Sequence, residues 1–171
     1  NDKIFKHKLG TKSIDDQLVY NEKDNTFYTS VSRSKSNKLI IISSYSILTS
    51  EFQFIDADNP DNEFQLFSKR VKGVEYSINH FEDYFYIITN RDNSKNYKLM
   101  KTSVDNTDYK NWKAVIEHRE DVLIEGIDIF KNYLVVSERS NGLNQINIKK
   151  WDDSKNYYIN LNVKTVLFNL F

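Results

Sequence analysis

An all-β chain built of repeated four-stranded antiparallel sheets is what this sequence predicts, on three observations. The first is an internal echo. Phe27-Tyr28-Thr29-Ser30-Val31 precedes Lys38-Leu39-Ile40-Ile41-Ile42-Ser43, Glu75-Tyr76-Ser77-Ile78 precedes Asp83-Tyr84-Phe85-Tyr86-Ile87-Ile88, and Glu125-Gly126-Ile127-Asp128-Ile129 precedes Asn132-Tyr133-Leu134-Val135-Val136-Ser137. Lys38, Asp83 and Asn132 are spaced by 45 and then 49 residues. A period of that size, made only of strand-like runs, marks the blades of a β-propeller. The second is punctuation. The runs are rich in Tyr, Phe, Ile and Val, and clusters of Asn, Asp, Ser and Lys separate them, with only 4 Gly and 1 Pro in 171 residues. The third is that no long stretch carries a helical period.

The elements follow in order. Residues 4–9 read as the last strand of a preceding blade, and residues 13–22 as a crossover with a short helical turn near Ile14. The first full blade takes strands near 26–33, 38–45, 50–57 and 64–69, with a hairpin turn around Ile47. The second takes 74–80, 84–90, 96–103 and 113–117. The third takes 124–130, 133–139, 143–150 and 156–161. Blade boundaries therefore fall at about 24–70, 71–119 and 120–162, with 1–12 closing an earlier blade, and residues 1–171 read as a fragment of one propeller domain. The apolar tail 163–171 is expected to start a fourth blade or cover an edge. The first residues carry neither an initiator Met nor a signal-peptide pattern, so an excised piece of a longer protein is expected.

Antiparallel alternation fixes which loops share an end of a blade. The turns between first and second strands lie with those between third and fourth; the remaining turns and the connectors lie at the opposite end. The third-to-fourth turns are acidic: Asp56, Asp58, Asp61 and Glu63, then Asp105 and Asp108, then Asp152 and Asp153. Lys69, Arg70, Lys72, Arg91, Arg119 and Arg139 belong to the other end, which is therefore expected to be basic. Trp112 and Trp151, which follow third strands, are expected to cap gaps between blades.

Composition excludes several functions. With 24 basic and 24 acidic residues the formal charge is zero, so no global field draws nucleic acid or an anionic membrane. Without Cys there is neither a disulfide framework nor thiol chemistry, which fits a cytoplasmic chain best and a periplasmic one as well. No apolar run is long enough to span a bilayer as a helix. The glycines do not form a nucleophile elbow, a phosphate-cradling loop or a dinucleotide-binding turn. His7, His80 and His118 read as an end-strand, a turn and a connector residue. His118, Glu120 and Asp121 are possible metal ligands, but the fixed charge of Arg119 among them opposes a cation. Residues 56–63 lack the Gly and Glu that a calcium loop of the EF-hand type needs. No catalytic residue, metal site or cofactor is assigned.

Longer strings carry a resemblance. Leu48-Thr49-Ser50-Glu51-Phe52, Asp56-Ala57-Asp58-Asn59-Pro60 and Glu75-Tyr76-Ser77-Ile78-Asn79-His80 lead to the most specific run, from His118-Arg119-Glu120-Asp121-Val122-Leu123-Ile124-Glu125-Gly126 to Glu138-Arg139-Ser140-Asn141-Gly142-Leu143. Together with Ser32-Arg33-Ser34-Lys35-Ser36, they make most of residues 4–161 similar to the propeller of the prolyl oligopeptidase family of serine peptidases, in its oligopeptidase B branch. The resemblance implies a seven-bladed propeller, of which this chain is about three blades. It also implies a separate α/β-hydrolase domain that carries the Ser-Asp-His triad, and cleavage of short peptides after Arg or Lys. The propeller would restrict access. The partners so implied are the missing blades, the hydrolase domain and short basic peptides. His118, Arg119, Glu120, Asp121, Arg139 and Asn141 are the residues expected at inter-blade or inter-domain contacts. A stand-alone propeller that displays loops to a protein partner is the alternative. A piece with unpaired edges is expected to self-associate.

Overall fold

The computed structural model describes residues 2–152 and 154–159. Strand-forming runs alternate with polar turns throughout. Strands β1 (Lys3–Lys6) and β2 (Gln17–Asn21) form a two-stranded antiparallel sheet. Next come β3 (Tyr28–Arg33), β4 (Leu39–Tyr45), β5 (Ser50–Asp56) and β6 (Gln65–Ser68), which pair in chain order as one four-stranded sheet. A second sheet holds β7 (Tyr76–Phe81), β8 (Tyr84–Thr89), β9 (Lys98–Ser103) and β10 (Lys113–Ile116). A third holds β11 (Val122–Ile129), β12 (Tyr133–Ser140), β13 (Leu143–Lys150) and β14 (Asn156–Tyr158). Two short 3-10 turns, Ser13–Asp15 and Tyr109–Asn111, are the helical elements among the described residues. This is the partial, all-β propeller that the repeat predicts. Asp153 and residues 160–171, including the expected fourth-blade start, lie outside the described residues.

Two linked expectations differ: the strand expected at 4–9 is not the last of its sheet, because another strand follows it before β3. The crossover 13–22 contains β2, which pairs with β1 from Lys3↔Asn21 to Lys6↔Gln17. Its apolar core, Leu18-Val19-Tyr20, is three residues long and bordered by polar ones, so alternation alone gives it little weight.

The chain divides into two compact units. Among the described residues the first takes those up to Ile87 together with Lys101–Lys113; the second takes Ile88–Met100 and those from Ala114 onward. In the first unit, β4 and β5 are apolar on both faces, as a sheet covered on both sides requires. The register Ile41↔Phe54 places both rows of Ile41, Phe54 on one face, and Ile40↔Ile55 sets Ile40 and Ile55 on the other. Phe54 meets Phe85 at 5.0 Å, and Phe67 meets Phe85 edge-on at 4.9 Å. Trp112 lies 5.8 Å from both Phe67 and Tyr76, so it fills the gap between adjacent sheets as expected. In the second unit, Ile124, Leu134 and Val136 are buried along β11 and β12. The β12–β13 hairpin turns on Asn141-Gly142, both at positive φ (51° and 77°), the two-residue turn whose twist matches that of the strands. The Trp151 indole N–H donates to the Phe130 carbonyl of its own sheet at 2.9 Å.

The turns sit as alternation requires. The Ala57 amide bonds the Lys38 carbonyl, the Val104 amide bonds the Asp83 carbonyl, and the Trp151 amide bonds the Asn132 carbonyl. Each acidic third-to-fourth turn thus lies beside the first-to-second turn of its own sheet. At the opposite ends Arg70, Arg119 and Arg139 each close on carboxylates.

Candidate functional site

The polar groups that could do work gather at joints between consecutive sheets, and one joint occurs twice. It links the start of a third strand to the start of the first strand in the next sheet. At β5, the Ser50 hydroxyl donates to the Tyr76 carbonyl at 2.7 Å, and the Ser50 amide bonds the Val74 carbonyl at 3.2 Å. Ahead of β9, the Asn96 carbonyl accepts from the Ile124 amide at 3.0 Å. Between the two-stranded sheet and the next, the Asp2 carboxylate ahead of β1 accepts from the Thr29 amide of β3 at 2.8 Å. A propeller needs such ties because consecutive sheets are joined covalently at one connector only.

Arginine clasps reinforce the joints. Arg70, in the connector after β6, donates to Glu22 and to Glu51, each at 2.7 Å. Its guanidinium also stacks 3.9 Å from the Phe27 ring centroid. Burial pushes the Glu22 carboxyl up, but hydrogen bonds from Arg70, the Asp24 amide and the Tyr20 hydroxyl outweigh it and bring the pKa down to about 2. In the second unit Arg119 bonds Glu138, whose side chain is fully buried. The Tyr158 hydroxyl donates to the second Glu138 oxygen at 2.8 Å. Burial opposes the charged Arg119, and the Glu138 pairing more than offsets it, so its pKa is raised.

The residues singled out in the sequence fall mainly around this second clasp. The Asn96 side-chain amide donates to the Arg119 carbonyl at 3.0 Å and to the Glu120 carbonyl at 2.7 Å, while its main-chain N–H meets His118 Nε2 at 3.3 Å. Asp121 is exposed at the end of that connector. Arg139 pairs with Glu125 at 2.6 Å within its own sheet, and Asn141 forms the hairpin turn. The six are therefore split between a connector and one hairpin. Asn96, which organises the connector, gives no signal in the sequence beyond its place in a polar loop.

A serine also meets an imidazole. The Ser36 hydroxyl lies 2.7 Å from His80 Nδ1, and Ser34 Oγ is 2.8 Å from Ser36 Oγ. His80 is not a solvated turn residue: it is buried on β7, its ring edge-on to Phe85 at 5.5 Å. Burial first and Lys38 second push its pKa down, against Asp83 and a backbone hydrogen bond to Glu82. A neutral ring so placed accepts from Ser36 and ties the β3–β4 turn to β7. Ser34 in turn accepts from the Leu39 amide at 3.0 Å, so the chain of bonds terminates in the turn itself. Among the described residues no group of three or more His, Asp or Glu is arranged to hold a metal ion. Asp56 instead caps its own turn, accepting from the Asp58 amide and from Asn59.

Repeated four-stranded sheets tied by third-to-first-strand joints define a propeller domain. The family described as prolyl oligopeptidase, N-terminal beta-propeller domain, matches residues 1–169, and the chain belongs to it. It is 37% identical over 155 residues to dipeptidyl aminopeptidase BI of Pseudoxanthomonas mexicana, and 34% identical over 143 residues to Protease 2 of Moraxella lacunata. These alignments take in 91% and 84% of this chain, but 21% and 20% of the relatives. Oligopeptidase B of Trypanosoma brucei superposes with a TM-score of 0.79 at 29% identity, and that of Leishmania major with 0.80 at 28%. Those superpositions cover 87% and 86% of this chain and 21% of each structure. The chain thus spans about a fifth of the length of its relatives.

Proposed function

We propose that this chain is a non-catalytic propeller segment of a serine oligopeptidase of the oligopeptidase B kind. Its parent cleaves short peptides after Arg or Lys, and the blades restrict which peptides reach the nucleophile of a separate hydrolase domain. The observation that carries this reading is the match of nearly the whole chain to the propeller of that family, alongside Protease 2 and oligopeptidase B relatives. The joints supply the mechanism. Ser50–Tyr76, Asn96–Ile124 and the arginine clasps hold consecutive sheets in fixed register, and a sieve needs stiff walls. The cytoplasm is the proposed compartment. Exposed Phe5, Leu18 and Val31 leave apolar surface on the first unit, and the chain on its own is expected to self-associate, which light scattering over a concentration series reads directly.

The test is hydrolysis of arginyl and lysyl peptide substrates by the full-length parent and by this chain, with a dipeptide-releasing substrate in parallel. The parent turns over the basic substrates, a serine-reactive inhibitor stops it, and the chain is inert. Turnover by the purified chain refutes the non-catalytic assignment. Release of dipeptides without preference for Arg or Lys refutes the specificity.

A further inference from the structure

Ser36 carries a hydroxyl whose hydrogen bonds run one way. The Leu39 amide donates to Ser34 Oγ at 3.0 Å. Ser34 Oγ lies 2.8 Å from Ser36 Oγ, and Ser36 Oγ lies 2.7 Å from His80 Nδ1. With a neutral imidazole accepting at Nδ1, the Ser36 hydrogen goes to the ring and the Ser34 hydrogen to Ser36. A serine hydroxyl within hydrogen-bond reach of an imidazole that is itself held in place is the arrangement that makes serine a nucleophile. His80 is so held: it sits on β7, its ring is edge-on to Phe85 at 5.5 Å, and a hydrogen bond ties it to the Glu82 main chain. All of these residues belong to the first compact unit.

His80 is buried, whereas Ser36 is half-buried in a turn whose Arg33, Lys35, Asn37 and Lys38 are exposed. A reagent from solvent therefore meets the hydroxyl, and the imidazole stays behind it. The charged groups facing the ring are Lys38, from the β3–β4 turn, and Asp83, from the β7–β8 turn. Burial and Lys38 favour the neutral ring, and Asp83 opposes them. The neighbouring amides decide the class of reagent. The Asn37 amide bonds the Ser34 carbonyl at 2.8 Å, and the Lys38 amide faces Ser36 Oγ itself at 3.4 Å. Neither is placed to take the charge of a tetrahedral intermediate, which is the help that a peptide bond requires. An acyl donor with a good leaving group needs less of that help.

We propose that Ser36 is a covalent modification site for activated acyl donors, with His80 as its general base. Ser36 Oγ forms a bond to the acyl carbon, and the bond from that carbon to the leaving oxygen breaks. The Ser36 proton passes to His80 Nδ1 and from there to the departing oxygen. The products are an acyl ester on Ser36 and the protonated leaving group. Each chain takes up a single acyl group at this position and no peptide bond is cleaved, so the reaction is separate from the activity proposed for the parent.

Acetylation of the full-length parent by p-nitrophenyl acetate tests it, with the modified residues located by peptide mass mapping. Ser36 is acetylated, and exposed lysines, modified by the same reagent, serve as the internal reference. His80→Gln lowers Ser36 acetylation at least about hundredfold and leaves the lysines unchanged. In the wild type, Ser36 acetylation rises with pH until His80 has lost its proton, below the ordinary 6.5, and then levels, whereas lysine acetylation keeps rising. That profile needs no substitution, so it decides the matter even where His80→Gln fails to fold. An unmodified Ser36 beside modified lysines, equal Ser36 acetylation in wild type and His80→Gln, or a Ser36 rate that climbs with pH in step with the lysines overturns the proposal.

Discussion

Replacing Arg70 with Met removes one guanidinium and strands two carboxylates. Arg70 sits 2.7 Å from both Glu22 and Glu51, whose side chains keep only 5% and 13% of their exposure. Breaking a buried pair by removing one partner costs about 3–5 kcal/mol. Arg70 itself is partly exposed, so the lower end applies. Despite burial, which opposes it, the depression of Glu22 from 4.5 to about 2 points the same way, with Arg70 as the largest lowering influence beside the Asp24 amide and the Tyr20 hydroxyl. Methionine retains much of the contact with Phe27, so the loss reports charge rather than packing. Urea denaturation at pH 7 is expected to show a destabilisation of about 3 kcal/mol. The pH dependence follows from the sign of the Glu22 shift. A carboxyl lowered in the folded state stabilises above its unfolded pKa, and that contribution fades as pH falls from 4.5 toward 2. The gap between wild type and Arg70→Met therefore narrows over that window. A loss under about 1 kcal/mol, or a gap that persists at pH 2, refutes the clasp as described.

Three other outcomes are expected. Phe67→Ala, which empties a site between Phe54, Phe85, Tyr76 and Trp112, costs about 3–5 kcal/mol in urea denaturation. Asn96→Ala frees the Arg119 and Glu120 carbonyls and speeds hydrogen exchange at the Ile124 amide, with a loss of about 1–2 kcal/mol. His80 has a lowered pKa, so its stabilising effect is complete above 6.5 and is lost as pH falls below it; His80→Gln flattens the stability profile between pH 7 and 5, as thermal denaturation across that range reads.

The strands were legible in the sequence because their signals are local. Runs such as Leu39-Ile40-Ile41-Ile42 and Tyr84-Phe85-Tyr86-Ile87 alternate with polar turns, and the period repeats. Strand β2 was not, since Leu18-Val19-Tyr20 acquires strand character only from pairing with β1. The joints were hidden for another reason. Glu22 and Arg70 are 48 residues apart, and Ser36 and His80 are 44 apart, close to one repeat. A search for complementary polar residues one period apart is the signal that finds them. Residue counts also do not reveal pairing: Arg70, Arg119 and Arg139 stand at the expected ends, and each meets a carboxylate there.

The proposed sieve is tested most directly by the rate at which the full-length parent cleaves arginine-containing peptides of rising length, each with a single cleavable bond. The account predicts that kcat/KM stays level for short peptides and then collapses, with unfolded whole proteins resistant. Rates that hold steady with length, or cleavage of whole proteins at peptide-like rates, contradict it.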